Sequence, residues 1–254
     1  MQIVGYERSG RGSSLLVSDD GDLSLTPLSR DETIAFGLGD RHCAGAIDYE
    51  TGEHVPCDRD AAPYCDAHTS TWVCARCTGT CLKDEMDCYT DHAVYLAAFA
   101  PTTFKVGVTQ LERLETRLRE QGADRAAHIH TVTNGRIARE LEAEIATDLT
   151  DRVRIERKIE GLAADVDDDA WESVLATFDP IERFSFDYGL SLATRPVTEL
   201  VGTGTVVGLK GRLLVLERRG TTYAVDLREL VGHELDADDA TADRQSSLGA
   251  FAGD

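Results

Sequence analysis

All seven cysteines of this chain fall between Cys43 and Cys88. That clustering constrains the fold more than any other feature. The stretch reads RHCAGAIDYETGEHVPC, then YCDAH, CARCTGTC and DCYTDH. It is too polar to build a hydrophobic core of its own, so cross-linking must hold it together. The N-terminus, MQIVGYERSG, lacks a basic stretch followed by a long apolar one, so a cytoplasmic, reducing setting is expected. There clustered thiols bind metal rather than pair as disulfides. Zinc takes four N or S ligands in a tetrahedron, and a Cys-X-X-Cys spacing offers two thiolates from one turn. Cys74 and Cys77 have that spacing, and Cys65 and His68 have the same gap with one imidazole. Cys81 follows Cys77 by four residues, and His92 follows Cys88 by four. Cys43 and Cys57 complete nine candidate ligands, of which eight would fill two sites. One or two structural zinc ions are expected. A redox role for Cys74 and Cys77 would not need five further thiols. Spacing alone does not say which ligands share an ion. His42 and His54 are weaker candidates, since exposed loop histidines are common.

Charge bounds the partners. The 254 residues carry 46 Asp and Glu against 26 Lys and Arg, a net charge of −20. Only four of the cations are lysines: Lys83, Lys105, Lys158 and Lys210. Abundant acid with scarce Lys resembles the composition of haloarchaeal proteins, whose anionic surface is screened by concentrated salt. It argues against a broad nucleic-acid-binding face, which needs clustered cations, but leaves room for a small basic site inside an acidic shell. At 42% hydrophobic the chain can bury a sizeable core. No apolar run approaches the roughly 20 residues of a membrane helix.

Beyond the cysteines the pattern changes. AVYLAAF (93–99) and FKVGVT read as two strands around the turn APTT, a candidate hairpin. QLERLETRLREQGA is helical, with Leu111, Leu114 and Leu118 on one face and Gly122 as its C-cap. AAHIHTVT reads as a third strand, on which the alternation predicts His128 and His130 on one side. A second helix carries Ile137, Leu141, Ile145 and Leu149 as its apolar stripe, with Glu142 beside it. Residues 151–178 continue helical. In them, Asp167 to Asp169 read as helix N-terminal charges rather than a metal cluster. Residues 1–40 suggest short strands. Residues 198–230 suggest several more, with Gly208 and Gly211 bracketing a tight turn. That glycine-rich stretch lacks a phosphate-loop pattern. The tail from Leu235 reads as disordered.

The order DCYTDHAVYLAAF, KVGVT, TRLREQGA, LEAEI and GTVVGLKGRLLVLE resembles domain-of-unknown-function family 2797, a family of uncharacterised prokaryotic proteins. Its middle part also resembles the GIY-YIG nuclease core. The resemblance covers roughly residues 40 to 235. It implies an α+β fold: a GIY-YIG-like small antiparallel sheet with helices, preceded by a zinc-binding cysteine-rich segment and followed by a small β unit. The implied division is an N-terminal β segment (1–40), the cysteine-rich segment (41–92), the GIY-YIG-like core (93–165), a helical connector (166–197), a C-terminal β unit (198–234) and an acidic tail (235–254).

The resemblance also implies site residues. Tyr95 falls at the first motif's Tyr, Gly107 at the second motif's Gly, Arg117 at the helix Arg and Glu142 at the late metal-binding Glu. One carboxylate can hold Mg²⁺ or Mn²⁺ that keeps most of its waters and stabilises a leaving oxygen. Arg117 would neutralise charge on phosphoryl oxygens, and the Tyr95 hydroxyl would orient or deprotonate water. Two departures stand out. Phe104 and Lys105 occupy the place of the second motif's Tyr, leaving Lys105 as the substitute, and Ala93 and Val94 precede Tyr95 without the leading Gly. The implied function is a divalent-metal-dependent nuclease. The alternative is a zinc-containing module without the chemistry that binds nucleic acid or a protein. Each residue also has a plainer reading: Tyr95 as a core tyrosine, Arg113 and Arg117 as partners of Glu120, and Glu142 as a surface carboxylate.

Overall fold

The computed structural model describes residues 1–9, 12–48, 50–69 and 89–236. Seven strands precede the break before residue 89: β1 (Gln2–Ser9), β2 (Gly12–Asp19), β3 (Asp22–Pro27), β4 (Thr33–Ala35), β5 (Gly37–Arg41), β6 (Ala46–Asp48) and β7 (Glu53–Val55). The central part runs β8 (His92–Phe99), β9 (Thr103–Gln110), α1 (Leu114–Gln121), β10 (Arg125–Val132), α2 (Gly135–Ile145), α3 (Ile155–Glu160), α4 (Asp168–Leu175) and β11 (Glu182–Ser185). The last part is β12 (Val197–Thr198), β13 (Thr203–Lys210), β14 (Leu213–Arg218), β15 (Thr221–Asp226), α5 (Leu227–Leu230) and β16 (His233–Asp236).

The chain is a mixed α+β protein built mainly on antiparallel sheets. The central four-stranded sheet has the order β11-β10-β8-β9. The expected hairpin is its right half, with Tyr95 opposite Gly107. All eight residues of β8 are buried, because both of its faces are covered. Val94, Leu96 and Ala98 pack with Trp171 and Leu175 of α4 and Ala138 of α2. Tyr95, Ala97 and Phe99 pack with Leu114 and Leu118 of α1. Period-two alternation thus feeds two separate cores from one strand.

Sequences far apart share the other two sheets. A seven-stranded sheet has the order β5-β16-β1-β2-β3-β7-β6, so the last strand lies between β5 and the first. A five-stranded sheet, β12-β15-β14-β13-β4, pairs β4 with the C-terminal hairpin. Their common core includes Ile3, Leu15, Ile34, Leu214, Leu216 and Leu227. The opposite face of β14, Leu213 and Val215, packs on Ile159 of α3.

Several local expectations change. The helix bearing Glu142 ends at Ile145, and Ile137 is exposed, while Leu141, Ile145 and Leu149 do pack on the core. Residues 151–178 form two short helices rather than one. Asp167 caps the second, its Oδ1 accepting from the Ala170 amide at 2.9 Å. A bulge between His128 and His130 breaks the alternation, burying His128 and exposing His130. Gly208 lies within β13 at a register shift, and the turn itself is at Gly211 and Arg212. Leu235 and Asp236 belong to β16; the rest of the tail, from residue 237, lies outside the described residues. Among the described residues, no helix is long and apolar enough to cross a membrane.

Candidate functional site: a metal-ligand cluster and a cationic cleft

Cys43 follows β5, Cys57 follows β7, and Cys65 and His68 share one turn. Backbone bonds draw these segments together: Cys43 N–H donates to Arg59 O at 2.8 Å and Ala44 N–H to Pro63 O at 2.9 Å. The turn is closed by His68 and Thr69 amides donating to Cys65 O at 2.9 and 2.8 Å. The ligand atoms of Cys43, Cys57, Cys65 and His68 all lie within 4.8 Å of one another. His68 Nδ1 is 3.3 Å from Cys43 Sγ and 3.4 Å from Cys65 Sγ. A zinc tetrahedron with bonds of about 2.3 Å has edges of about 3.8 Å, so three thiols and an imidazole at this spacing can hold a metal ion and suit zinc.

Hydrogen bonds around the sulfurs favour metal binding as well. Cys43 Sγ accepts from the amides of Cys65 at 3.2 Å and Gly45 at 3.4 Å. Burial pushes the Cys43 thiol up. At Cys65 burial pushes the same way but is outweighed. Hydrogen bonds from Cys43 and from the Ala67 and His68 amides bring its thiol down to about 6. His42 stays outside the cluster but braces it. Its Nδ1 lies 3.0 Å from Cys57 O, and its Nε2 lies 3.3 Å from Glu234 of β16. His54 is buried between Ser18 Oγ (2.9 Å) and Ala44 O (2.7 Å). Cys74, Cys77, Cys81 and Cys88 lie outside the described residues. His92 is not one of the four clustered ligands. It is buried at the start of β8, with Nδ1 2.7 Å from Thr90 O.

The residues implied by the nuclease resemblance gather around the β8–β9 pair and α1. Gly107 is required by close approach, since a Cβ there would lie 2.5 Å from Tyr95 Oη and 2.6 Å from Cζ. The tyrosine side chain therefore crosses over β9. Its hydroxyl accepts from Gln121 Nε2 at 2.5 Å, and the residue is only 1% exposed. Burial raises its pKa; Gln121 and the charges of Arg117 and Arg139 oppose that rise, and Glu142 adds to it. Burial pushes Lys105 down to about 8, against the pull of Glu142. Arg117 shares Glu120 with Arg113, at 3.2 and 3.1 Å. Glu142, 13% exposed, is held by Arg139 at 2.5 Å. Arg136 is similarly paired with Glu140 at 2.9 Å. A continuous basic strip along the two helices is thus neutralised.

What remains cationic is a cleft that sequence reasoning missed. A cavity of about 620 Å³ is lined by Arg8, Lys105, Arg117, Arg152, Lys158 and Arg212, with only Glu120 and Asp151 as carboxylates. Its cations come from β1, β9, α1, α3 and two loops, so no local motif could have shown it.

The chain thus combines a mixed α+β fold with a Cys3His cluster that could hold a metal ion and a cleft rich in basic side chains. Residues 33–235 match the model of the family described as "Protein of unknown function (DUF2797)", and the chain belongs to that family. Neither the curated proteins nor the solved structures include a match to it.

Proposed function

We propose that this is a zinc-stabilised protein whose GIY-YIG-like core engages the phosphodiester backbone of nucleic acid as a divalent-metal-dependent nuclease. One observation carries the reading. Tyr95 and Gly107 are register partners, Lys105 lies on the same strand as Gly107, and Lys105 and Arg117 line one cavity. Glu142 would hold Mg²⁺ or Mn²⁺, which supplies charge stabilisation to a leaving oxygen. Arg117 neutralises phosphoryl charge. Lys105, with its depressed pKa, takes the proton-transfer role that Phe104 has no hydroxyl to perform. The zinc is structural and fixes the segment that packs beside the seven-stranded sheet.

A second reading is a module that binds nucleic acid without cutting it. It is favoured by the burial of the Tyr95 hydroxyl under Gln121 and by the Arg139–Glu142 pair. A cleavage assay in molar KCl with Mg²⁺ or Mn²⁺ separates the two. Single-stranded, double-stranded and branched nucleic acids are compared for wild type and Glu142→Ala. Cleavage lost in the variant, with zinc content and circular dichroism unchanged, supports the nuclease. Binding without cleavage sinks it in favour of the second reading, and neither binding nor cleavage sinks both.

A further inference from the structure

The chain ends supply what the central unit lacks. Arg8 of β1 reaches α1, donating from Nη1 to Arg119 O at 3.2 Å. Arg212, at the β13–β14 turn, is brought in because that turn lies against the C-cap of α1. The missing Cβ of Gly211 would be 2.7 Å from the Gly122 nitrogen, and Gly211 has φ +58. Lys158 projects from α3, its Nζ donating to Gln121 O at 2.7 Å and lying 4.5 Å over the Phe99 ring. Of these three cations only Arg212 has a carboxylate within ion-pair distance among the described residues, Asp226 at 2.7 Å.

Among the described residues, the buried Arg8 Nε and Arg212 Nε have no hydrogen-bond partner. The wall is not only charged. Tyr6, Val153 and Ile155 also line it, so a polar and an apolar surface face the same space. About 620 Å³ is far more than a bare phosphate fills and is the size of a small-molecule site.

We propose that this cleft is a binding site for a phosphate monoester of nucleotide size, its doubly charged phosphoryl group set against Arg8, Lys158 and Arg212 and its body against Tyr6, Val153 and Ile155. The site deepens the nucleic-acid reading, because a nucleotide with a dianionic phosphate is also the phosphorylated end of a strand. An internal phosphodiester carries one charge, whereas a terminal phosphate carries close to two at pH 7. A cleft lined by four arginines, two lysines and two carboxylates discriminates in favour of the second.

The cations on the wall support the assignment. Burial pushes Lys158 down to about 7, the charges of Lys105, Arg212 and Arg117 push the same way, and Asp226 opposes them. Arg8, Arg152, Glu120 and Asp151 complete the charged groups facing the cavity. A bound dianion restores the proton to Lys158, so affinity should fall as pH rises from 7 to 9.

Isothermal titration calorimetry tests this with inorganic phosphate, adenosine 5′-monophosphate and adenosine, at a KCl concentration where circular dichroism shows the chain folded. Oligonucleotides with and without a 5′-phosphate form the second arm. Binding of the monophosphate and of phosphate but not of adenosine, weakened at least tenfold in Lys158→Met/Arg8→Met with unchanged circular dichroism, is the expected result. If the double variant does not fold, Lys158→Met alone serves, since it removes an ammonium that burial already disfavours. A 5′-phosphate preference identifies strand ends as the source, and its absence points to free nucleotides. No binding of the monophosphate, or equal binding by wild type and variant, overturns the proposal. The two readouts keep the failures distinct: monophosphate binding without cleavage leaves this site standing while the nuclease reading falls.

Discussion

Replacing Gly107 by alanine tests how the central site is built. The added Cβ would meet Tyr95 at 2.5 Å (Oη), 2.6 Å (Cζ) and 3.0 Å (Cε2). Carbon contacts settle near 3.5 to 4.0 Å, so the overlap is about 1 Å. Neither partner can yield freely. Tyr95 is enclosed by Leu114 and Leu118 and bonded to Gln121, and β9 is bonded to β8 along its whole length. Overpacking of this kind costs about 1–3 kcal/mol, against which alanine in place of glycine in a strand returns about 0.5–1 kcal/mol. The net expectation is a loss of about 1 kcal/mol for Gly107→Ala. Tyr95→Leu removes all three clashing atoms. In that background Gly107→Ala should be neutral or stabilising by about 0.5 kcal/mol, a coupling of about 1.5 kcal/mol. Urea unfolding of the four proteins in constant KCl measures the cycle. An equal loss in both backgrounds would refute the reasoning, because the cost would then come from the backbone of β9 and not from the tyrosine lying across it.

Other perturbations have comparably definite outcomes. Cys57→Ser should reduce zinc content and lower stability by several kcal/mol, and a chelator should do the same to wild type; elemental analysis and a chelator-insensitive melt would expose an error. Lys210→Met leaves the half-buried Asp124 carboxylate without its ammonium, 2.6 Å away, and should cost about 2 kcal/mol by urea titration. Adding Asp124→Asn should recover part of that loss. Because Lys158 titrates near 7 in the fold and near its ordinary 10.5 when unfolded, the unfolded chain holds the extra proton between those values. Stability should therefore rise with pH across that window, and Lys158→Met should flatten the rise, with its largest advantage at or below pH 7. With a net charge of −20 the melting temperature should climb with KCl concentration, and a flat profile would argue against the halophilic reading.

The sequence revealed what is local. The β8–β9 hairpin, the αL cap at Gly122 (φ 72) and the acidic start of α4 follow from neighbouring residues, and the structure contains all three. The cysteine clustering exposed the ligand types but not the set, because membership depends on how β5, β7 and a turn approach in space. The bulge that separates His128 from His130 has no sequence mark, since alternation assumes an unbroken strand. The C-terminal end of α2 was misjudged because Leu149 still reaches the apolar face after the helix has stopped. Least legible was pairing between remote strands. Nothing in Thr33–Ala35 says that its neighbour is Thr203–Lys210, and the cationic cleft is a by-product of such pairings.

The insertion of β16 between β5 and β1 also has a consequence for the timing of biosynthesis. Gln2 pairs with Glu234, so β1 must wait for a strand made much later. At about 5–20 residues per second a ribosome takes roughly ten to fifty seconds to span that interval. During it the edge of β1 that β16 will cover is an unsatisfied hydrogen-bonding template. The hairpin partner β2 covers only the other edge. A nascent chain of this design therefore gains from dense negative charge before it has folded at all, because like charges keep neighbouring nascent chains from pairing through that open edge.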